Sequence, residues 1–333
     1  MSNRNLTAAR NQAVELIRTV QSAYLVTHVR ADGDALGCLL ALALALEARG
    51  CQVARLCADP VSANYQFLPT ADRVTATPPD WPPQVGFAVD CDGLARAGSL
   101  EPVFANLPTL VDIDHHATDQ AFGDIRVVDP TAAATGEIVY DLLRRAGMRV
   151  DSDIATCLYA AILTDTGRFG YTNTTARSLT VGSRLVRAGA DPHLITRKIY
   201  EERSIAATHL LGVALSRLSA DCGDEVVTST LTLADFAQAD AAAADTEGII
   251  DHLRAIGGTR VALLFVETED GQVRVSLRSD GTLDVGRIAL SLGGGGHVAA
   301  AGCNISGAAE SARAAVLDAV KRSLLRARLN GDN

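Results

Sequence analysis

The chain has 333 residues, 48% hydrophobic and 21% charged, an ordinary globular composition that excludes a disordered, collagenous or coiled-coil protein. At roughly 150 residues per domain, that length predicts about two domains. Acidic residues outnumber basic ones by 39 to 30, a net charge of −9, which argues against gripping a long nucleic acid by its backbone.

Leu6, Ala13, Ile17 and Val20 share one helical face and predict an opening helix. AYLVT (23–27) predicts a short buried strand. The stretch 35–49 is apolar nearly all round and ends at Gly50, as a buried helix with a glycine cap would. CQVARLC (51–57), VGFAV (85–89) and TLVDI (109–113) predict further strands, with TPPDWPP (77–83) as a surface loop. Helical patterns follow over 135–147 and 153–164. Strands alternating with helices predict an α/β domain with a mostly parallel sheet. In the second half, 180–189, 192–200 and 204–218 predict consecutive helices. EVVTSTLT (225–232), RVALLFVET (260–268) and QVRVSLRS (272–279) predict strands, with an Ala-rich helix and a helical stretch at 245–258 between the first two. A last helix is expected over 308–329. The expected architecture is an N-terminal domain (1–190), a helical linker (191–215) and a smaller C-terminal α/β domain (216–333), with the active site in the cleft between them.

Seven cysteines, an odd number with no C-x-x-C, predict reduced thiols in a cytoplasmic protein. No signal peptide is visible at the N-terminus. The longest uncharged apolar run, 35–46, is short of the ~20 residues that span a membrane.

The chemistry-bearing residues fall at strand ends. His28, Asp32 and Asp34 follow the first strand in HVRADGD (28–34), Asp90 ends the third in FAVDCD (87–92), and Asp114, His115 and His116 follow the fourth in LVDIDHH (110–116). Asp165 closes an apolar helix in AAILTDTG (160–167). Ligands of open α/β sheets bind outside the carboxyl ends of the strands. Singly, each residue has a plain structural reading: Asp34 as a helix cap, His28 as a loop histidine, a lone Asp as a turn residue. Adjacent His115 and His116 after an apolar strand are harder to explain that way, because buried imidazoles carry a desolvation cost a fold does not need. Carboxylates with imidazoles and no thiolates suit manganese or a related divalent ion. Six candidate ligands exceed the need of one ion, and two ions about 3.5–4 Å apart, bridged by a carboxylate and a hydroxide, serve in-line attack on phosphorus.

This pattern resembles the DHH phosphoesterase superfamily. Its name triplet stands here as Asp114-His115-His116, its H-x-x-x-D-x-D run as His28, Asp32 and Asp34, and its other two motifs as Asp90 and Asp165. The second half is similar to the DHH-associated domain, whose glycine run, His and A-A-G stand as GGGGHVAAAG (293–302), with Arg278 of VSLRS (275–279) matching a substrate-binding arginine. The two-domain length is most similar to NrnA-type enzymes. The resemblance implies a manganese-dependent phosphoesterase with two Mn2+ ions, for which Mg2+ or Co2+ would be substitutes. Its implied substrates are short RNA or DNA oligonucleotides, pAp (3′-phosphoadenosine 5′-phosphate) and linear dinucleotides. It implies that His28 and Asp32 hold one ion, that Asp34, His115 and Asp165 hold the other, and that Asp90 bridges. Asp114 would orient the histidines. His116 would face the scissile phosphate, as hydrogen-bond donor or as acid to the leaving oxygen.

For the substrate, Gly294, Gly295 and Gly296 let backbone approach a ligand and offer N–H groups to an anion, beside His297. The period of two in 272–279 places Val273, Val275 and Leu277 on one face and Arg274, Ser276 and Arg278 on the other. Arg278 can fork onto a phosphate, with Ser279 beside it. Arg274 is expected as a solvated charge, and Arg96 as either a substrate contact or a surface charge. The chain departs from the family pattern at Ala31 (usually Pro), at Cys38 (usually Ser) and at Arg168-Phe169-Gly170 (often Ser-Phe-Arg). The first two are expected to be packing changes; the third moves a positive charge by two residues. A RecJ-like exonuclease, a cyclic-dinucleotide phosphodiesterase and a non-catalytic nucleotide sensor are the alternatives. No membrane partner is expected, and a homodimer is compatible with the pattern.

Overall fold

The structure is a computed structural model that describes residues 3–116, 121–296 and 298–329. The chain divides into two compact units, Met1–Glu202 and Arg203–Asn333.

The N-terminal unit opens with α1 (Asn3–Thr19) and then alternates β1 (Ser22–Val26), α2 (Gly33–Glu47), β2 (Gln52–Leu56), β3 (Val74–Thr75) and β4 (Val85–Val89). It continues through α3 (Glu101–Ala105), β5 (Leu110–Asp114), β6 (Ile125–Val128), α4 (Thr135–Arg145), α5 (Ser152–Asp165), α6 (Ala176–Ala188) and α7 (Pro192–Thr196). All six strands run parallel in the order β3-β2-β1-β4-β5-β6. A parallel sheet is covered on both faces, which explains why β4 and β5 are buried at every position. Strand order reverses direction between β1 and β4, in register Val26 opposite Ala88, so the crevice of this sheet opens at the carboxyl ends of those two strands.

α2 is buried along nearly its whole length, as its all-round apolar sequence demands. It lies unusually close to α5: a Cβ on Gly37 would stand 2.4 Å from the Cys157 carbonyl oxygen, and one on Gly33 2.5 Å from the Thr164 side chain. Only glycine allows that approach. One residue of β2, Arg55, is buried among apolar neighbours because Glu47 receives its guanidinium at 2.9 and 2.7 Å.

The C-terminal unit runs α8 (Ile205–Ser216), β7 (Ser219–Asp221), β8 (Val226–Leu231), α9 (Leu233–Ala239), α10 (Ile249–Arg254), β9 (Val261–Glu267) and β10 (Gln272–Ser279). It closes with α11 (Val285–Ser291), β11 (Gly295–Gly296), β12 (Ala300–Ser306) and α12 (Ala309–Leu329). Its mixed sheet has the order β11-β12-β10-β9-β8-β7. The α/β class and the parallel first sheet are as the sequence predicts. Several short elements differ, β3, α3, β7 and β11 among them. β6 was not foreseen, because four residues, one of them charged, give too short an alternation. β12 was not foreseen either, because its AAGCNIS sequence is poor in strand formers. The single helix expected over 245–258 is a 3-10 turn followed by α10, separated by Gly248 at φ +74°, a conformation no regular helix accepts. The cysteines are all free thiols, six of them buried. Among the described residues, no helix is long and apolar enough to cross a membrane.

Candidate active site

Each predicted cluster arrives at the carboxyl edge of the parallel sheet by a different route. His28 follows β1; its ring is nearly buried, with Nδ1 2.9 Å from the Val29 carbonyl oxygen. Asp32 caps α2, its Oδ1 accepting from the amides of Asp34 and Ala35 at 3.1 Å. The sequence pattern offers Asp34 as that cap; instead Asp34 sits inside the first turn of α2 and is 1% exposed. Asp90 follows β4 with φ +59°, a left-handed conformation that a non-glycine residue adopts at a cost. Asp114 ends β5 and delivers His115 and His116, and Asp165 ends α5.

Among the described residues, three sets of ligand atoms each lie within 4.8 Å of one another: His28, Asp32 and Asp90; Asp34, His115 and Asp165; and Asp90, Asp114, His115 and His116. Asp90 belongs to two of them. Its Oδ2 is 3.7 Å from His28 Nε2, while its Oδ1 is 3.8 Å from both His115 Nε2 and His116 Nδ1. His115 Nε2 stands 3.3 Å from Asp165 Oδ2. Asp114 accepts from His116 Nδ1 at 2.8 Å and from the amides of His115 and His116 at 2.7 and 3.2 Å. It therefore orients the His116 ring; the His115 ring is approached instead by the Ala132 carbonyl, 3.4 Å from Nδ1.

The electrostatics fit a cation. Burial pushes the Asp34 carboxyl well above its usual range, with the charges of Asp90, Asp165 and Asp32 adding to the push. Burial, then Asp90 and Asp32, push Asp165 up to about 8. Asp90 goes the other way: burial opposes its charge, but His28, His116 and His115 outweigh it and hold the carboxyl low. For His116, burial is outweighed by the Asp114 hydrogen bond and the Asp90 charge, which raise it to about 9. Carboxylates gathered this closely carry more negative charge than the imidazoles balance. A divalent ion reverses that condition, and the donors present, carboxylate and imidazole, are the ones such an ion takes.

Several contacts here are not visible in the sequence. Thr135 and Gly136, at the start of α4, donate their amides to Asp34 at 2.6 and 2.9 Å, and the Thr135 hydroxyl donates to Asp90 at 2.8 Å. The first residues of a helix leave amides without intrahelical partners. Ala134 at the cap position has no side-chain oxygen to receive them, and Asp34, a hundred residues away, does so. That missing capping residue was the one signal available. Cys38, expected as a packing change, is more than that: its thiol lies 3.2 Å from Asp34 Oδ1 as a donor, and burial with the Asp34 charge keeps it protonated. Ala31 only packs against the core. Arg168, in the departed D-T-G loop, has φ +62° and lays its guanidinium 4.7 Å over the Tyr200 ring. Arg96 stands beside the cluster, its Nη2 3.4 Å from His28 Nδ1 and its Nε 3.5 Å from Asp92.

In the C-terminal unit, β10 alternates as predicted, with Val273, Val275 and Leu277 buried. Arg278 is on the half-buried face, one third exposed, with Nε 3.7 Å from Asp251 of α10. Ser279 is on the opposite, buried face, and its hydroxyl is spent on the Val298 carbonyl at 3.1 Å. The structure does not bring it together with Arg278. Arg274, expected as a solvated charge, instead donates to Thr246 at 2.6 Å. The glycine run has a packing reason: a Cβ on Gly294 would stand 2.2 Å from the Gly302 carbonyl oxygen. The amides of Gly293 and Gly294 close α11 by donating to Leu290 and Ala289, while Gly295 and Gly296 pair with β12 and remain exposed. His297 lies outside the described residues.

Comparison with known proteins agrees with this layout. Residues 22–162 match the DHH family, N-terminal domain, and residues 211–324 match the DHHA1 domain. The bifunctional oligoribonuclease and PAP phosphatase NrnA of Thermus thermophilus is 35% identical over 319 residues, 94% of each chain. The protein of that name from Bacillus subtilis is 28% identical, over 87% of this chain and 92% of its own. An exopolyphosphatase-related protein of Bacteroides fragilis has the same fold, with a TM-score of 0.90 at 23% identity over 98% of both chains. The sheet-edge cluster and these matches together place the chain in the DHH family of phosphoesterases, on the branch that carries a DHHA1 domain, as a hydrolase of phosphoric esters.

Proposed function

We propose that this chain hydrolyses short oligoribonucleotides to nucleoside monophosphates and removes the 3′-phosphate of pAp, with two divalent ions, manganese foremost. The observation that carries the reading is Asp90, whose two oxygens face different ligand sets at 3.7 and 3.8 Å. In this reading His28 and Asp32 would hold one ion, Asp34, His115 and Asp165 would hold the other, and Asp90 would be shared. Ions bound there would acidify water and neutralise charge on phosphoryl oxygens. The chain's own residues do the rest. Asp114 fixes the His116 ring through Nδ1, so Nε2 is the atom through which His116 would donate to the phosphate. Arg96, beside His28, and Arg278, one third exposed on β10, are the candidate cations for substrate phosphates.

Substrates of about two to five nucleotides follow from charge, because long strands gain affinity from cationic phosphate contacts that a chain at −9 does not offer in quantity. The curated names of the relatives, oligoribonuclease and PAP phosphatase, support the same substrates. The test is a panel of labelled RNA and DNA from dimers upward, with pAp, on chelator-treated enzyme with and without added Mn2+. Metal-dependent cleavage of dimers and of pAp is expected. Activity unaffected by chelation, or absent on both dimers and pAp, would overturn the reading.

A further inference from the structure

Asp90 has a mechanical problem. The terminal torsion of an aspartate is broad, so nothing within the residue decides which oxygen faces which neighbour. A carboxylate shared between two ligand sets must nevertheless keep one oxygen toward His28 and the other toward His115 and His116. Among the described residues, the side-chain hydroxyl bound to it is that of Thr135, 2.8 Å from Oδ1, and Thr135 is fully buried. The same residue gives its amide to Asp34 Oδ2 at 2.6 Å, and the next, Gly136, gives its amide to Asp34 Oδ1 at 2.9 Å. Gly136 is itself pressed against α5, where an added Cβ would come within 2.8 Å of the Ala161 side chain. One dipeptide, clamped by packing, thus touches a carboxylate from each of the two sets.

We propose that Thr135 is the positioning residue of this site: its hydroxyl sets the rotation of Asp90, and with the Gly136 amide it ties Asp90 and Asp34 into one frame that spaces the two ions. This rests on the two-ion reading above. Thr135 touches no reacting atom in this account; it acts through the two carboxylates.

The experiment compares the unaltered full-length chain with Thr135→Val, which keeps the shape and the amide but not the hydroxyl, and Thr135→Ser, which restores the hydroxyl. Each is stripped of metal and titrated with Mn2+ by calorimetry, with manganese paramagnetic resonance reporting how closely the bound ions couple. Removing groups that orient metal ligands costs ~10- to 100-fold in metal affinity, and that loss is expected for the valine variant with weakened coupling between the ions. Thr135→Ser should bind as the unaltered chain does. Turnover of a dinucleotide should fall in kcat with KM unchanged for valine and recover for serine. Should the valine variant fail to fold, Thr135→Ala, which also lacks the hydroxyl, carries the same expectation. Unaltered affinity and coupling in the valine variant, or equal losses in valine and serine, would overturn the proposal. Fewer than two ions in the unaltered chain would instead sink the two-ion reading, and the valine–serine contrast would still judge Thr135 on the ion that binds.

Discussion

In the N-terminal unit, Asp34 and Asp90 are nearly inaccessible, and each accepts hydrogen bonds from a helix that begins more than forty residues away. In the C-terminal unit, Arg278 keeps a third of its side chain in solvent, its nearest carboxylate is 3.7 Å away, and the glycine hairpin beside it is open backbone. The first arrangement holds charges where water would otherwise reorganise around them. That is what transition-state stabilisation asks for. The second leaves a long cationic side chain with rotamers to choose from, which suits holding phosphates of varied substrates. The difference teaches that chemistry and grip have separate structural requirements, which under the proposed function would be met in separate units.

The comparison breaks most visibly at Asp90. Asp90→Ala removes the oxygen pair common to two ligand sets, so turnover should disappear and metal content should fall at both positions. Elemental analysis finding two tightly bound ions in that variant would remove Asp90 from its shared role.

A paired measurement sharpens it. His116→Ala should lower kcat by ~10²- to 10⁴-fold, as loss of a proton donor does, with little change in KM. Arg278→Ala should raise KM by ~10- to 100-fold, the worth of a charge-assisted contact made in ground and transition states alike, and leave kcat close to its starting value. Steady-state kinetics on one dinucleotide, with circular dichroism on both variants, decides. An Arg278→Ala enzyme with unaltered KM would deny the C-terminal unit its grip.

Gly294→Ala probes the hairpin. A methyl group within 2.2 Å of the Gly302 carbonyl oxygen should cost ~1–3 kcal/mol in the stability of the C-terminal unit, read by chemical denaturation, with metal binding unchanged. A loss of metal affinity would show that the two functions are not separable in this way. The smallest effect concerns length: a strand of ~24 nucleotides should have a specificity constant ~10-fold below that of a dimer, or ~1.4 kcal/mol. Equal constants would favour a RecJ-like enzyme.

How much of this was legible in the sequence follows a physical divide. His28, Asp32, Asp34, Asp90, His115 and Asp165 stood out because such side chains have little structural reason to cluster after apolar strands, and the structure gathers them at one edge. The two-unit α/β fold was legible because buried parallel strands and all-round apolar α2 leave strong patterns. Thr135 was not, because a threonine opening a helix looks like an ordinary residue, and its value lies in partners at positions 34 and 90. Cys38 looked like filler for the same reason. Arg274 and Ser279 were misjudged or left undivided by strand periodicity, which assigns a face but not what covers it: Thr246 receives Arg274, and Val298 covers Ser279.

The candidate ligands come from four separate stretches, at residues 28–34, 90, 114–116 and 165, which follow or end β1, β4, β5 and α5. During synthesis the set of Asp34, His115 and Asp165 therefore stays incomplete until Asp165 has been made and α5 has docked on α2, whereas the two sets that contain Asp90 need no residue beyond 116. Such distant pairings are slow to form, because chain must be closed into loops before any contact rewards it. Once the unit is complete, an ion held by the full cluster favours the finished fold over precursors that carry only part of it, so ion uptake would make folding harder to reverse.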